Sequence, residues 1–583
     1  MHTYSEIKKF IKSDTSLLPT IKVAILGDTA TQFLATAIKG LGIKGGFFIE
    51  LFEADYNQIE RQIIDPTSEL HNFNPEYVII FQSSHKLLNT YNKLSSDEER
   101  IQLASRRLEL VKDICNQIKC KVIYYNYPEI DDSVFGNYSN KIKSSFVYQI
   151  RRLNYELMNL TETYPNLFIC DISSIQNKFG RNQIFASPIY ITTEMVLSLD
   201  IIPHIASRTI DIISAIQGKA KKCLILDLDN TLWGGVIGDD GLENIQLSHE
   251  LGIGKAFAEF QYWVKKLKDR GIILAVCSKN DENVAKEAFE KHPDMVLKLS
   301  DISVFVANWN NKVDNIRYIQ SILNIGFDSM VFVDDNPFER NIVRENIPEV
   351  VVPELPEDPA DYLEYLYGLN LFETVSYASE DVERTKLYQE ESKRVLAQNS
   401  FTNISDYLAD LNMLSDVSAL NKFNIPRVAQ LSQRSNQFNL RTIRYTESEL
   451  IDISQNENYA SFTFTLEDKF GNNGLISVVL LEKQEDRTLF INTWFMSCRV
   501  LKRGMENFIL NTLVEYAKTC GFESIVGEYI PTPKNKIVEN HYTDLGFNRM
   551  NNSENKFILN INGYKPVISF IKLNNQNRDG QNI

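Results

Sequence analysis

CLILDLDNTLWGGVIGDDG, residues 223–241, decides how the chain is read. The apolar run Leu224 to Leu226 leads directly into Asp227, Leu228, Asp229, Asn230 and Thr231. A short continuous apolar run is the pattern of a parallel strand buried on both faces. In open α/β sheets the chemistry lies just beyond the carboxyl ends of such strands. Two carboxylates, two residues apart, therefore emerge where a sheet builds a site. Such a pair suits a divalent cation and a phosphoryl group, one carboxylate attacking or ligating while the other handles a proton. An acidic turn after a strand is the alternative, since Asp and Asn are ordinary turn residues.

The sequence beyond this stretch repeats the theme. In KAFAEFQYWVKKLKDRG (255–271), Ala256, Phe260, Trp263, Val264 and Leu267 fall at helical spacing and Gly271 ends the helix, with Trp263 a core residue. IILAVCSKND (272–281) reads as a second buried strand that delivers Ser278 and Lys279, with Cys277 in the core. A helix carrying Val284, Ala285 and Phe289 follows, and the next helix starts near Lys312. SMVFVDDNPFER (329–340) is a third buried strand, delivering Asp334 and Asp335. Four carboxylates converging in one crevice repel each other unless a cation joins them. Mg²⁺ takes oxygen ligands and bridges carboxylate to phosphate. Ser278 and Lys312 then supply a hydrogen-bond donor and a fixed positive charge for phosphoryl oxygens.

These four motifs resemble the haloacid dehalogenase (HAD) phosphotransferase superfamily. The longer strings DLDNTLWGGVIGDDG, LAVCSKND, NW followed by Lys312, and VFVDDNPFER resemble its subfamily IIIC and, within that, the FkbH-type proteins, over essentially the whole chain. The resemblance implies that Asp227 is the aspartyl nucleophile and Asp229 the general acid/base. It implies that Thr231 belongs to the first motif's turn, on the phosphate side, and that Ser278 and Lys312 bind phosphate. Asp334 would ligate Mg²⁺ with Asp227 and the backbone carbonyl of Asp229, and Asp335 would support the metal through water. Independently of any family, the short stretches between Asp229, Ser278 and Lys312 leave no room for an inserted lid domain. An open site suits a large substrate, or a cap supplied by another domain or partner.

The 583 residues exceed one hydrophobic core and suggest three or four domains. With 43% hydrophobic and 23% charged residues the chain is globular, and its net charge of −15 argues against a nucleic-acid partner. No signal-like leader and no membrane-spanning apolar run is read, and seven scattered cysteines without a CxxC pair suggest a cytoplasmic protein without structural disulfides or zinc. Before residue 219, strands at 21–29, 74–85, 120–129 and 167–174 alternate with helices, notably at 95–118 and 145–163, which means a parallel sheet. The order resembles the SGNH-hydrolase layout, with Thr29 at the position of that family's nucleophilic serine and Asp200 and His204 approximating its Asp-x-x-His; ordinary turn and surface roles for these residues are the alternative.

After 378, SEDVERTKLYQEESKRVLAQNS reads as a connecting helix, and 461–483 as two strands with Gly471 and Gly474 in the turn. A strand ending at Cys498, a basic turn from Arg499 to Gly504, the helix 504–521 and a further strand resemble the GNAT acyltransferase fold. There Arg499 would face an anionic phosphate; Lys502 replaces the first glycine of that family's turn, and Lys502 and Arg503 would attract a phosphopantetheine phosphate. Cys498 either carries an acyl group as a thioester or is a small buried residue. The architecture expected is α/β in three domains: an SGNH-like domain 1–218, a HAD Rossmann-like parallel sheet without an inserted cap 219–377, and a GNAT-like α+β domain 401–575. A helical linker 378–400 and a disordered tail 576–583 complete it. FkbH-type proteins are associated with loading a glyceryl unit derived from 1,3-bisphosphoglycerate onto an acyl carrier protein. The resemblance thus implies Mg²⁺-dependent dephosphorylation coupled to acyl transfer. A phosphatase of a sugar phosphate or phosphoprotein, and a non-catalytic biosynthetic scaffold, are the alternatives.

Overall fold

The computed structural model describes residues 2–377, 384–398, 401–550, 553 and 555–574, so the expected tail 576–583 and residues 378–383 and 399–400 of the expected linker lie outside the described residues. The chain divides into two compact units, Met1–Ser214 and Ala215–Ile583.

The first unit is built on a five-stranded sheet, β1 (Thr20–Gly27), β2 (Phe48–Glu53), β3 (Tyr77–Phe81), β4 (Lys121–Tyr125) and β5 (Leu167–Cys170), in the order β2-β1-β3-β4-β5. Every pairing is parallel. All five residues of β3 are buried, as a strand covered by helices on both faces requires. The expected helices appear as Asp97–Ile101 with Leu103–Gln117, and as Phe146–Thr163. Strand β2 is an addition to the sequence reading. It is an edge strand with alternating burial at its start, and its FIELFE stretch lacks the buried run of its neighbours.

In the second unit β6 (Cys223–Leu226), β7 (Ile273–Ser278), β8 (Val304–Ala307) and β9 (Met330–Val333) form a parallel sheet in the order β8-β7-β6-β9. Leu224, Leu226, Leu274, Val276, Val331 and Val333 pack on one face, and Ile225, Ile273, Ala275, Cys277 and Phe332 on the other. Burial on both faces is why these three apolar runs were legible as buried strands. Between β6 and β7 lie a one-turn helix, Ile237–Asp240, and the helix Ile253–Asp269; between β7 and β8 the only α-helix is Glu282–Lys291. No cap domain is inserted. Cys277 is wholly buried and burial raises its thiol far above the ordinary range.

The remaining strands, β10 (Leu414–Ser415), β11 (Val417–Ser418), β12 (Tyr459–Asp468), β13 (Gly471–Gln484), β14 (Thr488–Met496), β15 (Ser524–Glu528), β16 (Asn548–Arg549), β17 (Lys556–Asn560) and β18 (Lys572–Leu573), form one sheet. Its order is β16-β17-β15-β14-β13-β12-β10-β18, with β11 also on β12. It is mainly antiparallel, but β14 and β15 are parallel and are joined through the helix Met505–Thr519, giving the expected α+β arrangement. Gly474 is not in the β12–β13 turn, as expected, but inside β13, at φ +64 and opposite a register shift in β12. A glycine of positive φ there serves a bulge. The helix Arg384–Gln398 lies in the expected linker, and Arg394 on it forms a buried bidentate pair with Asp468 at 2.8 Å for each bond. Arg503 joins the same carboxylate and Glu391. None of the seven cysteines is in a disulfide, and among the described residues no helix is long and apolar enough to cross a membrane.

Candidate active site

Parallel pairing of β6 with β7 and β9 sets the ends of these three strands side by side, so Asp227, Ser278 and Asp334 leave the sheet at one edge. Asp227 N–H still donates to Val333 O at 3.0 Å, fixing the first aspartate against the last strand. Lys312 is the first residue of the helix Lys312–Leu323. The Asn311 side chain caps that helix by accepting from Asp314 N–H at 2.8 Å, and Val313, Ile316, Ile319 and Leu323 bury one stripe of it. The fold therefore drives the Lys312 ammonium inward. Its Nζ lies 2.8 Å from Asp227 Oδ2 and also bonds Asp334 Oδ2.

Burial by itself lowers the pKa of Lys312, but the adjoining Asp227 and Asp334 carboxylates outweigh it and raise the value. Asp334 is completely buried; burial first, and then repulsion from Asp227, push its carboxyl up to about 7. Asp335 is raised in the same direction and by the same two causes. One oxygen from each of Asp227, Asp334 and Asp335 lies within 4.8 Å of the others, and Asp227 Oδ1 is buried without a hydrogen-bond partner. Hard oxygens in this arrangement, with one carboxylate atom unmet, fit Mg²⁺.

Asp229 is held by donors on both oxygens. Trp233 Nε1 at 2.9 Å and Ile237 N–H at 3.1 Å donate to Oδ1, and Asn280 Nδ2 at 3.0 Å donates to Oδ2. Burial raises the pKa of Asp229 in spite of these bonds. Thr231 is fully buried, and its hydroxyl accepts from Asp335 N–H at 3.2 Å, so it joins the first motif to the Asp-Asp turn. Ser278 is buried at the end of β7. Asn230 sits in the left-handed region at φ +53, and its Oδ1 accepts from Gly235 N–H at 2.9 Å. Arg340 donates to the carbonyls of Asp334 at 2.9 Å and Asp335 at 2.5 Å.

Trp233, Asn280 and Arg340 were missed in the sequence. The signal for Asn280 was present, two residues after Ser278 in SKND, whereas nothing in the sequence marked Trp233 or Arg340. Trp263, expected in the core, is only partly buried against it, while Trp233 is wholly buried. Large apolar side chains stand in solvent in the segments that follow the strand ends: Leu251 is 96% and Trp309 77% exposed in loops, and Phe338 is 65% exposed in the first turn of the helix Pro337–Asn346.

Cys498 is remote from this cluster. Its carbonyl accepts from Asn324 Nδ2 at 2.9 Å, and Asn324 is the left-handed C-cap of the helix that begins at Lys312. Twelve residues of helix separate the two ends by about 18 Å. Arg499 is buried and donates to the carbonyl of Asn473 at 3.3 Å. In the first unit Thr29 is wholly buried with no partner for its hydroxyl, and so shares no hydrogen bond with His204, whose ring packs 4.2 Å from that of Phe179.

The family model for the FkbH N-terminal domain matches residues 22–214. Among solved structures, the N-terminal part of the protein BF1531 from Bacteroides fragilis, containing a phosphatase domain and complexed with Mg, is 65% identical over 64% of this chain and 100% of that chain, with a TM-score of 0.63. Two others are remote. The ribosomal-protein-S18-alanine N-acetyltransferase from Escherichia coli is 16% identical over 25% of this chain and 94% of that chain, with a TM-score of 0.20. The spermidine N-acetyltransferase from Vibrio cholerae is 16% identical over 25% of this chain and 96% of that chain, with a TM-score of 0.21. No curated protein matches the chain. An identity of 65% along the whole of that phosphatase-domain protein, together with the FkbH match over residues 22–214, makes this chain a member of the FkbH-type family.

Proposed function

We propose that the chain is a Mg²⁺-dependent phosphatase of the HAD type, acting through an aspartyl phosphate and coupled to transfer of a glyceryl or similar short acyl unit to the thiol of an acyl carrier protein. The observation that carries the phosphatase reading is Asp227 itself. One oxygen is gripped by Lys312 and the other is buried and unmet, so a single atom is presented for attack. Asp227 attacks phosphorus while Asp229 protonates the leaving oxygen of the ester. Asp229, now a base, takes a proton from the water that attacks the aspartyl phosphate at phosphorus, releasing phosphate and restoring Asp227. Ser278 and Lys312 bind the phosphoryl oxygens, and Thr231 holds the turn they face. Asp227, Asp334, Asp335 and the carbonyl of Asp229 would hold Mg²⁺. When bound, it neutralises the carboxylates and the phosphoryl oxygens and orients the ester.

In the acyl step a thiol attacks the carbonyl carbon of an acyl phosphate, the thioester forms and the phosphate leaves. Cys498, partly exposed, and the carrier's own thiol are the two acceptors, with Arg499 beside the former. A capless site with exposed Leu251, Trp309 and Phe338 around it supports a substrate that arrives on a protein. We place this chemistry in the cytoplasm, with neither nucleic acid nor membrane as partner. The domain divisions at 218/219, 377/378 and 400/401 belong to this reading.

Phosphatase action without acyl transfer is the second reading. It is favoured by the basic turn after Cys498, where Arg503 is committed to Asp468 and Glu391 and only Lys502 stands exposed. Intact-protein mass spectrometry separates the two, using the pure protein with Mg²⁺, 1,3-bisphosphoglycerate and a phosphopantetheinylated carrier. A glyceryl mass on the carrier supports coupling. Phosphate release with an unmodified carrier supports the plain phosphatase. Asp227→Asn lowers phosphate release by roughly 10⁴-fold under either reading, and full release by that variant overturns both.

A further inference from the structure

We propose that Asn280 is the positioning residue for proton transfer in the phosphatase reaction, and that the atom it positions, Oδ2 of Asp229, is the one that carries the proton. The assignment rests on the reading of Asp229 as the general acid/base. A carboxylate offers about four in-plane lone-pair positions, shared equally between its oxygens. Oδ1 of Asp229 accepts from Trp233 Nε1 at 2.9 Å and from Ile237 N–H at 3.1 Å, which fills its share. Among the described residues Oδ2 accepts from Asn280 Nδ2 alone, at 3.0 Å. The position left over is on Oδ2, and a proton is carried there.

Each of these donors is itself held. Asn280 is buried, and its Oδ1 accepts from Asp281 N–H at 3.1 Å, which sets the amide with Nδ2 toward Asp229. The loop it lies on follows Ser278, the proposed phosphoryl ligand, and Lys279 between them is paired with Glu339 at 2.6 Å. Trp233 is wholly buried, its ring T-shaped to that of Phe289 at 6.0 Å. The backbone leading to Ile237 is fastened by Asp240 Oδ2, which accepts from Val236 N–H at 2.8 Å. A methyl group on Gly238 of this flap would stand 4.0 Å from Asn280 Oδ1, so flap and loop close on Asp229 from two sides. A site without an inserted cap has no moving domain to swing an acid into place, and fixed donors preorganise it instead.

In the first step Asp227 forms its bond to phosphorus and the ester P–O bond breaks. The electron pair of that bond stays on the leaving oxygen, which takes the proton from Oδ2. In the second step water forms its bond to phosphorus and passes a proton back to Oδ2, and the bond from Asp227 to phosphorus breaks. Leaving oxygen and water stand on the same side of phosphorus, opposite Asp227, so one orientation of Asp229 serves both steps. Rotation of the carboxyl group would turn the filled oxygen toward them. The Asn280 bond on one edge, and the Trp233 and Ile237 bonds on the other, prevent it.

The test is kcat/KM of the full-length protein with Mg²⁺ on two esters. The alkoxide of glycerol phosphate leaves only with a proton, whereas the phenolate of p-nitrophenyl phosphate leaves without one. This parameter reports events up to departure of the leaving group, and so isolates the first step. Asn280→Ala is expected to lower it by about a hundredfold on glycerol phosphate but only about tenfold or less on p-nitrophenyl phosphate. Trp233→Phe keeps the ring and removes one donor of Oδ1; it shows the same bias at about fivefold, and decides the matter where Asn280→Ala fails to fold. Losses that are equal on the two esters, nil included, make Asn280 a structural residue, and a raised KM with kcat intact makes it a phosphate ligand. Either result overturns the assignment and leaves the phosphatase reading standing. Wild-type protein that releases phosphate from neither ester overturns both.

Discussion

Asp334 and Lys312 concentrate the electrostatic cost of the site. The carboxyl of Asp334 is raised to about 7, above its ordinary value, by burial and by Asp227. A carboxyl group raised on folding contributes stability below its unfolded pKa and loses it as pH rises through the folded value. Metal-free protein in EDTA therefore melts at a lower temperature at pH 8 than at pH 6, and Asp334→Asn removes most of that difference. Ligation requires the ionised form, so the affinity for Mg²⁺, followed by the metal dependence of phosphate release, falls as pH drops below about 7. Lys312→Met leaves two buried carboxylates with no counter-charge, at a cost of about 3 kcal/mol or more in a urea titration without metal. Mg²⁺ is expected to recover much of that loss, since it supplies the missing positive charge.

Elements explain both what could be read and what could not. Asp227, Ser278, Lys312, Asp334 and Asp335 were legible because each follows a buried apolar run or opens a capped helix, and those patterns are local. Strand β8 was not legible: SVFVANW is short and gives no carboxylate at its end. Trp233, Asn280 and Arg340 escaped for a different reason. Their roles come from bonds to Asp229 and to the Asp334–Asp335 turn that only the folded sheet brings into reach. Asn230 shows how a turn is built for its place. A non-glycine residue at φ +53 is tolerated best when it is Asn, and its side chain also secures Gly235. Asn230→Ala is expected to cost about 1–2 kcal/mol, the sum of the backbone penalty and one hydrogen bond, by chemical denaturation.

On the scale of the second unit, the helix Arg384–Gln398 is fastened to the large sheet by charge. Arg394, Asp468, Arg503 and Glu391 form one buried network, and Arg503 belongs to the turn that follows Cys498. Asp468→Asn leaves two guanidinium groups short of a counter-ion, and a loss of about 3 kcal/mol in the urea titration is expected. This network was out of reach of the sequence. Its members are 74 and 35 residues from Asp468 along the chain, and charged residues on a helix read as solvent-facing.

The helix that starts at Lys312 and ends at Asn324 is a rigid rod with a different chemistry proposed at each tip. In the proposed reaction a three-carbon unit is far shorter than the rod, so Asp227 and Cys498 cannot hold opposite ends of one molecule. The two events are consecutive stops, and between them the activated acyl group is open to interception. Hydroxylamine added to a running reaction then competes with the thiol for the acyl group without slowing phosphate release. A carrier arm, swinging between the stops, is what would shorten that exposure.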